Sequence, residues 1–465
     1  LGYTQEGDVF ISEEERYVNL HVVGAPGEGK SKFLEYQIRA DIDRGQGLCL
    51  IDSSDFGATQ LEVLKYCASI GYEKVCIIDP YTLATHGKVA TIQPLNGKYV
   101  KQSVEGVMEL TKFLFGAKTE TETPRIKRYL SALLRVLARA DLTLFESQYL
   151  AEFGDINQFN FIDWDRDSKT IRSVFRSPYT FENYFSSTIN RLDAFWDEPL
   201  SWMLGADTGI DFTKMISDGW VILCNLAPGR GLNTTEGRLL GVLVINQLIQ
   251  SVDILKRKGW KGRYYFYIDE AGRFATPQLD DLLSQRRKSG LSMIIAHQFM
   301  GQFENKRLLD AIKQNTGIKL MFNMREPEDR LAMMKSLGYG GDITPTMATH
   351  ANQDLPKQYA ILKKNKESPV RIRIPDVSAV KIDSDALHGY VEEILKAPWY
   401  LSRDEIKEQI NARKLRAYSQ RPERREAPNS KTNNPSPLPR GGGRKTVLAD
   451  SKKPPVPKQD KPFKF

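Results

Sequence analysis

Between residues 17 and 78 apolar positions come in short, mostly apolar blocks, separated by stretches where they recur at helical spacing. Tyr17 to Val23 is the first block and reads as a buried strand. Gly24 to Ser31 is a glycine-rich turn. Phe33, Leu34 and Ile38 then fall on one helical face, with Gly45 past the end as a stop. Leu48 to Ile51 predicts a second strand, Gln60 to Ile70 a second helix and Lys74 to Ile78 a third strand. This βαβαβ rhythm predicts an α/β fold, a mostly parallel sheet with helices on both faces.

From Val100 to Gly205 the pattern is almost wholly helical. The clearest helix starts at Thr123-Pro124, a capping residue followed by a ring whose fixed φ suits a first turn. It carries Ile126, Leu130, Leu133, Leu134 and Leu137 at helical spacing. The aromatic residues of this stretch, among them Phe175, Tyr179, Phe181, Phe185 and Trp196, are expected in its core. Strands return at Trp220–Leu226, Tyr264–Ile268, Leu291–Ala296 and Ile318–Met324, with a last pair near Gln358–Leu362 and Val370–Ile374. Helices are expected over Thr235–Lys256, Pro277–Lys288, Pro327–Leu337 and Arg403–Arg416. After Ser419 large apolar residues nearly vanish until Phe463, so this tail cannot bury enough surface to order itself. The expected organisation is a core in two parts, residues 1–99 and 206–418, with an all-helical insertion over 100–205 and a disordered basic, Pro-rich tail over 419–465.

Charge changes this picture in one place. The chain has 66 Lys+Arg against 58 Asp+Glu, a formal net charge of +8. Residues 421–465 alone hold 12 bases and 4 acids, which is the whole excess, so residues 1–420 are neutral in sum. A basic balance thus describes the tail, either a flexible arm for DNA, an acidic partner or a membrane surface, or a solvated linker. The most basic run elsewhere, Lys256 to Arg263, precedes a strand and is expected at the sheet edge away from a ligand. The four cysteines fit no zinc or disulfide spacing and are expected as buried free thiols in a reducing cytosol. The sequence shows no signal peptide and no unbroken apolar run of about 18 residues, so no membrane-spanning helix is expected.

Gly24-Ala25-Pro26-Gly27-Glu28-Gly29-Lys30-Ser31 fits G-x-x-x-x-G-K-[ST] in full, after a predicted strand and opening a predicted helix. Gly24, Gly27, Glu28 and Gly29 would shape a backbone cradle for phosphates, and the helix would add its positive end. Lys30 would reach the β- and γ-phosphates of ATP and Ser31 would ligate Mg²⁺. Tyr264 to Ile268 runs straight into Asp269-Glu270, so both acids emerge at a strand's C-terminal edge, where ligands bind in such sheets. Asp269 would hold the Mg²⁺ shell and Glu270 would orient and deprotonate the attacking water. The next strand ends at His297-Gln298, an amide placed to sense the γ-phosphate. Arg287 and Lys288, at a helix end, either complement its dipole or reach a neighbouring subunit's phosphate, and Arg325 is a comparable candidate.

With these motifs the chain resembles the HerA/FtsK superfamily of ring ATPases, in particular HerA-like proteins and type IV secretion or conjugative coupling proteins. Leu50-Ile51-Asp52, Ile77-Ile78-Asp79-Pro80 and Gln93-Pro94-Leu95-Asn96 are similar to that family's second and third strands and the turn into its helical insertion. Ser284 to Gln298 is similar to its Gln, Arg-Lys and His-Gln pattern. Asp52-Ser53-Ser54-Asp55 departs from the Asp-Pro-His-Gly of HerA-type members. The resemblance implies a RecA-like P-loop NTPase core, a homohexameric ring, and ATP hydrolysis between subunits that drives DNA through a pore. Secretion-machine, relaxase or nuclease partners follow from it. So does a cytoplasmic site, at the inner face of the membrane through partners or an anchor outside this chain. Two readings stand beside it: a secretion-assembly ATPase that moves protein, and a nucleotide-gated scaffold with little turnover.

Overall fold

A strand buried on both faces favours apolar side chains at nearly every position. Gly47–Asp52 (β4), Val75–Ile78 (β5), Val221–Asn225 (β7), Tyr264–Ile268 (β8) and Leu291–His297 (β9) are buried along their whole length. The computed structural model describes residues 1–4, 7–12, 14–115, 123–150, 166–274, 279, 283, 290–303, 306–340, 344, 346–348 and 355–419. Its other strands are Gly2–Thr4 (β1), Gly7–Val9 (β2), Leu20–Val23 (β3), Lys88–Ala90 (β6), Ile318–Met321 (β10), Tyr359–Lys364 (β11), Val370–Arg373 (β12) and Tyr400–Ser402 (β13). The longer helices are Lys30–Asp43 (α1), Ala58–Ser69 (α2), Val100–Phe115 (α3), Thr123–Arg139 (α4), Thr234–Arg257 (α5), Lys306–Asn315 (α6), Pro327–Ser336 (α7), Ser384–Ile394 (α8) and Arg403–Ser419 (α9).

Among the described residues eleven strands form one sheet in the order β2-β1-β12-β11-β10-β3-β9-β8-β4-β7-β5. The run from β10 to β5 is parallel throughout, and β11, β12, β1 and β2 extend it antiparallel. The mostly parallel α/β fold read from the sequence is the one observed. The first strand begins later than its apolar block, because Glu15–Tyr17 forms a 3₁₀ turn. The predicted helix over Pro277–Lys288 lies largely outside the described residues.

Among the described residues between β6 and β7, helices are the only regular elements. Leu130, Leu133, Leu134 and Leu137 of α4 are buried, as their spacing predicts, and Phe175, Phe181 and Phe185 meet with ring centroids 5.2–5.8 Å apart. Tyr179 is the exception, 70% exposed. All four cysteines are buried free thiols. Helix α5 is long and apolar enough for a span by length and hydropathy, and 72% of its apolar window is buried inside the fold, as in a core helix.

The C-terminal elements close the open side of the sheet. Strand β5 is its last strand, and an unpaired edge exposes backbone donors and acceptors. The Tyr400 hydroxyl accepts from the Ile77 N–H at 2.7 Å and donates to the Ile77 carbonyl at 3.1 Å, while β13 pairs with β6. Arg413 of α9 reaches back to Glu146 and Asp207 in the helical region.

Candidate functional site

Register brings the chemistry to one edge. Val23 of β3 pairs with His297 of β9, and Ile268 of β8 pairs with Ile295 of β9. Two residues further along β8, Glu270 therefore stands level with His297 and Val23. The P-loop, the acid pair and Gln298 thus all leave three adjacent strands at their C-terminal ends, with β9 between the other two.

The loop after β3 is held by its neighbours. The Gly24 N–H donates to the His297 carbonyl at 3.3 Å, and the Ala25 N–H to the Asn323 carbonyl at 2.8 Å. A Cβ at Gly24 would sit 2.4 Å from the Phe322 Cβ, so only glycine lets the strand turn there. Gly29 has φ of 118°, left-handed backbone that strains any other residue. Helix α1 starts without a side-chain cap, whereas α5 has a full capping box from Asn233 and Glu236. The first N–H groups of α1 are therefore left to an anion.

Lys30 is buried and donates to the Ala25 carbonyl at 3.2 Å, folded over its own loop. Burial pulls its ammonium below the ordinary range, against the carboxylates of Glu270 and Asp269, which raise it. Ser31 Oγ lies 3.5 Å from Asp269 Oδ2, the pair that would bracket Mg²⁺. Asp269 is fully buried. That burial, with Asp52 and Glu270 close by, pushes its carboxyl up to about 7. A buried acid raised this far, facing a hydroxyl and a lysine, fits a divalent cation that would favour its ionised form.

The raised Asp269 gives a pH prediction. Between 3.8 and about 7 the folded protein holds a proton at Asp269 that the unfolded chain has lost. Stability therefore falls as pH rises through that window. The nucleotide-free Asp269→Asn variant, which cannot ionise there, should gain in melting temperature over the wild type from about pH 5 to about pH 8. A pH-independent difference would contradict this.

Glu270 takes the left-handed backbone at φ of 56°, a conformation that costs a non-glycine residue of order 1 kcal/mol and concentrates at functional sites. Gln298 Nε2 donates to its Oε1 at 2.7 Å, and Gln302 Nε2 to its Oε2 at 2.8 Å. Gln298 thus bonds the candidate base itself. Gln302 and Arg273, whose Nη1 donates to the Ser53 carbonyl at 2.8 Å, are missed by motif reading. A polar residue four places past Gln298 in an aromatic loop was the available signal for the first. Next to this, His297 Nδ1 lies 3.2 Å from the Phe299 carbonyl and its Nε2 2.6 Å from His21 Nε2. Burial pulls both imidazoles down, so the pair is neutral and ties β3 to β9.

Other predicted residues fall elsewhere. Arg325 is exposed, two residues past Asn323, on the same edge. Arg287 and Lys288 lie outside the described residues. Asp52 caps α2, accepting from the N–H groups of Ser54 and Gln60 at 2.9 Å each. Asp79 accepts from Asn225 Nδ2 at 3.1 Å and from the Tyr81 N–H at 2.9 Å. The basic run ending at Arg263 enters β8 from its N-terminal end, opposite the site.

Residues 263–368 match the family described as the TraM recognition site of TraD and TraG, a span that includes Asp269, Glu270, Gln298 and Gln302. The structure is similar to the plasmid coupling protein TrwB solved with ADP and Mg²⁺, with a TM-score of 0.57 and 17% identity, over 80% of this chain and 88% of that one. It is also similar to VirB4 of Thermoanaerobacter pseudethanolicus, with a TM-score of 0.55 and 15% identity, over 81% of this chain and 96% of that one. Among curated proteins no sequence matches. The matched domain and the shared fold both support the resemblance drawn from the motifs, that of a P-loop chain similar to FtsK/HerA-type conjugative coupling ATPases.

Proposed function

We propose that this chain hydrolyses ATP and spends the energy on moving DNA, working as a homohexameric ring with the nucleotide between subunits. The observation that carries the reading is the convergence of Lys30, Ser31, Asp269, Glu270 and Gln298 on the level ends of three adjacent parallel strands. Lys30 would hold the phosphates in the cradle of Gly24, Gly27, Glu28 and Gly29. Ser31 and Asp269 would hold Mg²⁺, which neutralises charge on the transferring group. Glu270 would orient the attacking water and take its proton. Gln298, bonded to Glu270, would report the phosphate's presence to the loop behind it. Arg287, Lys288 or Arg325 would complete the site from the next subunit.

TrwB structures with ADP and Mg²⁺ and with a non-hydrolysable ATP analogue support this use of the fold. The match to a TraM recognition site supports a DNA-processing partner docked through residues 263–368. Work at the inner face of the membrane, through such partners or a segment outside this chain, belongs to the same reading. The similarity to VirB4 favours a second reading, a secretion-assembly ATPase that moves protein.

DNA binding separates the two. The DNA-motor reading predicts that labelled DNA binds the full chain and that log affinity falls linearly with log salt, because phosphate contacts release counterions. Deleting residues 421–465 should flatten that slope if the basic tail contributes. Absence of DNA binding at low salt, with nucleotide binding intact, would favour the protein-moving reading.

A further inference from the structure

Two amides hold the carboxylate of Glu270, and their tasks differ. Gln298 stands at the end of β9 beside the P-loop, where its amide has a second claimant once phosphate is present. Gln302 has none. Its Nε2 donates to Glu270 Oε2 at 2.8 Å, and its Oε1 accepts from the Gln298 N–H at 2.8 Å. One side chain therefore fixes both the carboxylate and the backbone of the residue that senses phosphate. The contact is built for. A Cβ at Gly272 would sit 2.6 Å from the Gln302 Cβ, so glycine lets the turn after Glu270 and the loop after β9 come this close. Glu270 itself is strained and buried, which a surface interaction would not sustain.

We propose that Gln302 is a positioning residue for hydrolysis, anchoring Glu270 Oε2 while Oε1 is left to Gln298 or to water. The inference rests on the reading of Glu270 as the base. In the step it supports, the water oxygen bonds to the γ-phosphorus and the bond from that phosphorus to the bridging oxygen of ADP breaks. The water proton passes to Glu270 Oε1. When Gln298 turns to the phosphate, Gln302 is the donor that keeps the carboxylate aimed.

The test is steady-state phosphate release by the full chain, with Gln302→Ala, the volume-conserving Gln302→Met, Glu270→Gln and the double variant Glu270→Gln/Gln302→Ala. Both Gln302 variants should lose about tenfold to a hundredfold in kcat, part of the ~10²–10⁴ that a positioned base contributes. Affinity for a fluorescent ADP analogue should stay within about twofold, since Gln302 does not reach the cradle. A fall in kcat with nucleotide affinity kept is a split that a merely structural role would not produce. The double variant should be no slower than Glu270→Gln alone. The proposal is overturned by an unchanged kcat, by additive losses in the double variant, or by loss of ADP binding in both Gln302 variants. Full activity in Glu270→Gln would instead remove the parent reading.

Discussion

Glu270→Gln is expected to lower the rate of ATP hydrolysis by roughly 10²–10⁴ while nucleotide binding persists. The substitution keeps the side chain's size, removes the carboxylate that would accept the proton, and leaves one acceptor oxygen for the two amides of Gln298 and Gln302. The cradle, Lys30 and the pair of Ser31 and Asp269 are untouched, so a fluorescent nucleotide should bind the variant as it binds the wild type. Phosphate release and nucleotide titration on the same preparation check both halves. Lys30→Ala is the complementary control. It removes the cation from the cradle, and should weaken binding as well as turnover.

Arg413→Ala should destabilise the fold by about 3–5 kcal/mol, the range seen when one partner of a buried ion pair is removed. Arg413 is 3% exposed. Its Nε donates to Glu146 Oε1 at 2.8 Å and its Nη2 to the Gly205 carbonyl at 2.6 Å, and a further arm reaches Asp207. Glu146 is also buried, with Oε2 accepting from the Thr143 N–H and hydroxyl at 2.7 Å each. Without the guanidinium its charge is left in a dry interior. Asp207 is much more exposed, and its share of the loss is small. Urea unfolding measures the change. The double variant Arg413→Ala/Glu146→Gln should recover part of it, because the stranded charge is gone. Equal losses in the single and double variants would contradict this account.

These two residues also mark what a sequence can and cannot disclose. The P-loop and the Asp269-Glu270 strand are legible because each is contiguous, and an apolar run that stops at an acid locates a strand's end by itself. The central strands are legible for the same reason, since burial on both faces leaves few polar interruptions, His21 in β3 and Ser292 in β9 being hydrogen-bonded. Strands β1, β2, β6 and β13 have three residues each, too few to show a period. Asp52 and Asp79 end strands just as Asp269 does, yet both oxygens of each are taken by neighbouring N–H groups and Asn225. Asp269 accepts the Glu270 N–H on Oδ1 at 3.0 Å and turns Oδ2 toward Ser31, a difference that only the fold discloses. The grip of Gln302 on Glu270 depends on the absent Cβ of Gly272, and Arg413 finds Glu146 across 267 positions of sequence. Such contacts belong to the packing of distant segments, and no local pattern encodes them.

The central claim is that this site turns over ATP in order to act on DNA. It is tested most directly by phosphate release from the wild-type chain with and without DNA, at saturating ATP and Mg²⁺. The account predicts that DNA raises the rate and that Glu270→Gln abolishes both the basal and the stimulated activity. A rate that is the same with and without DNA would contradict it, and a rate near background in both conditions would make the chain a nucleotide-gated scaffold.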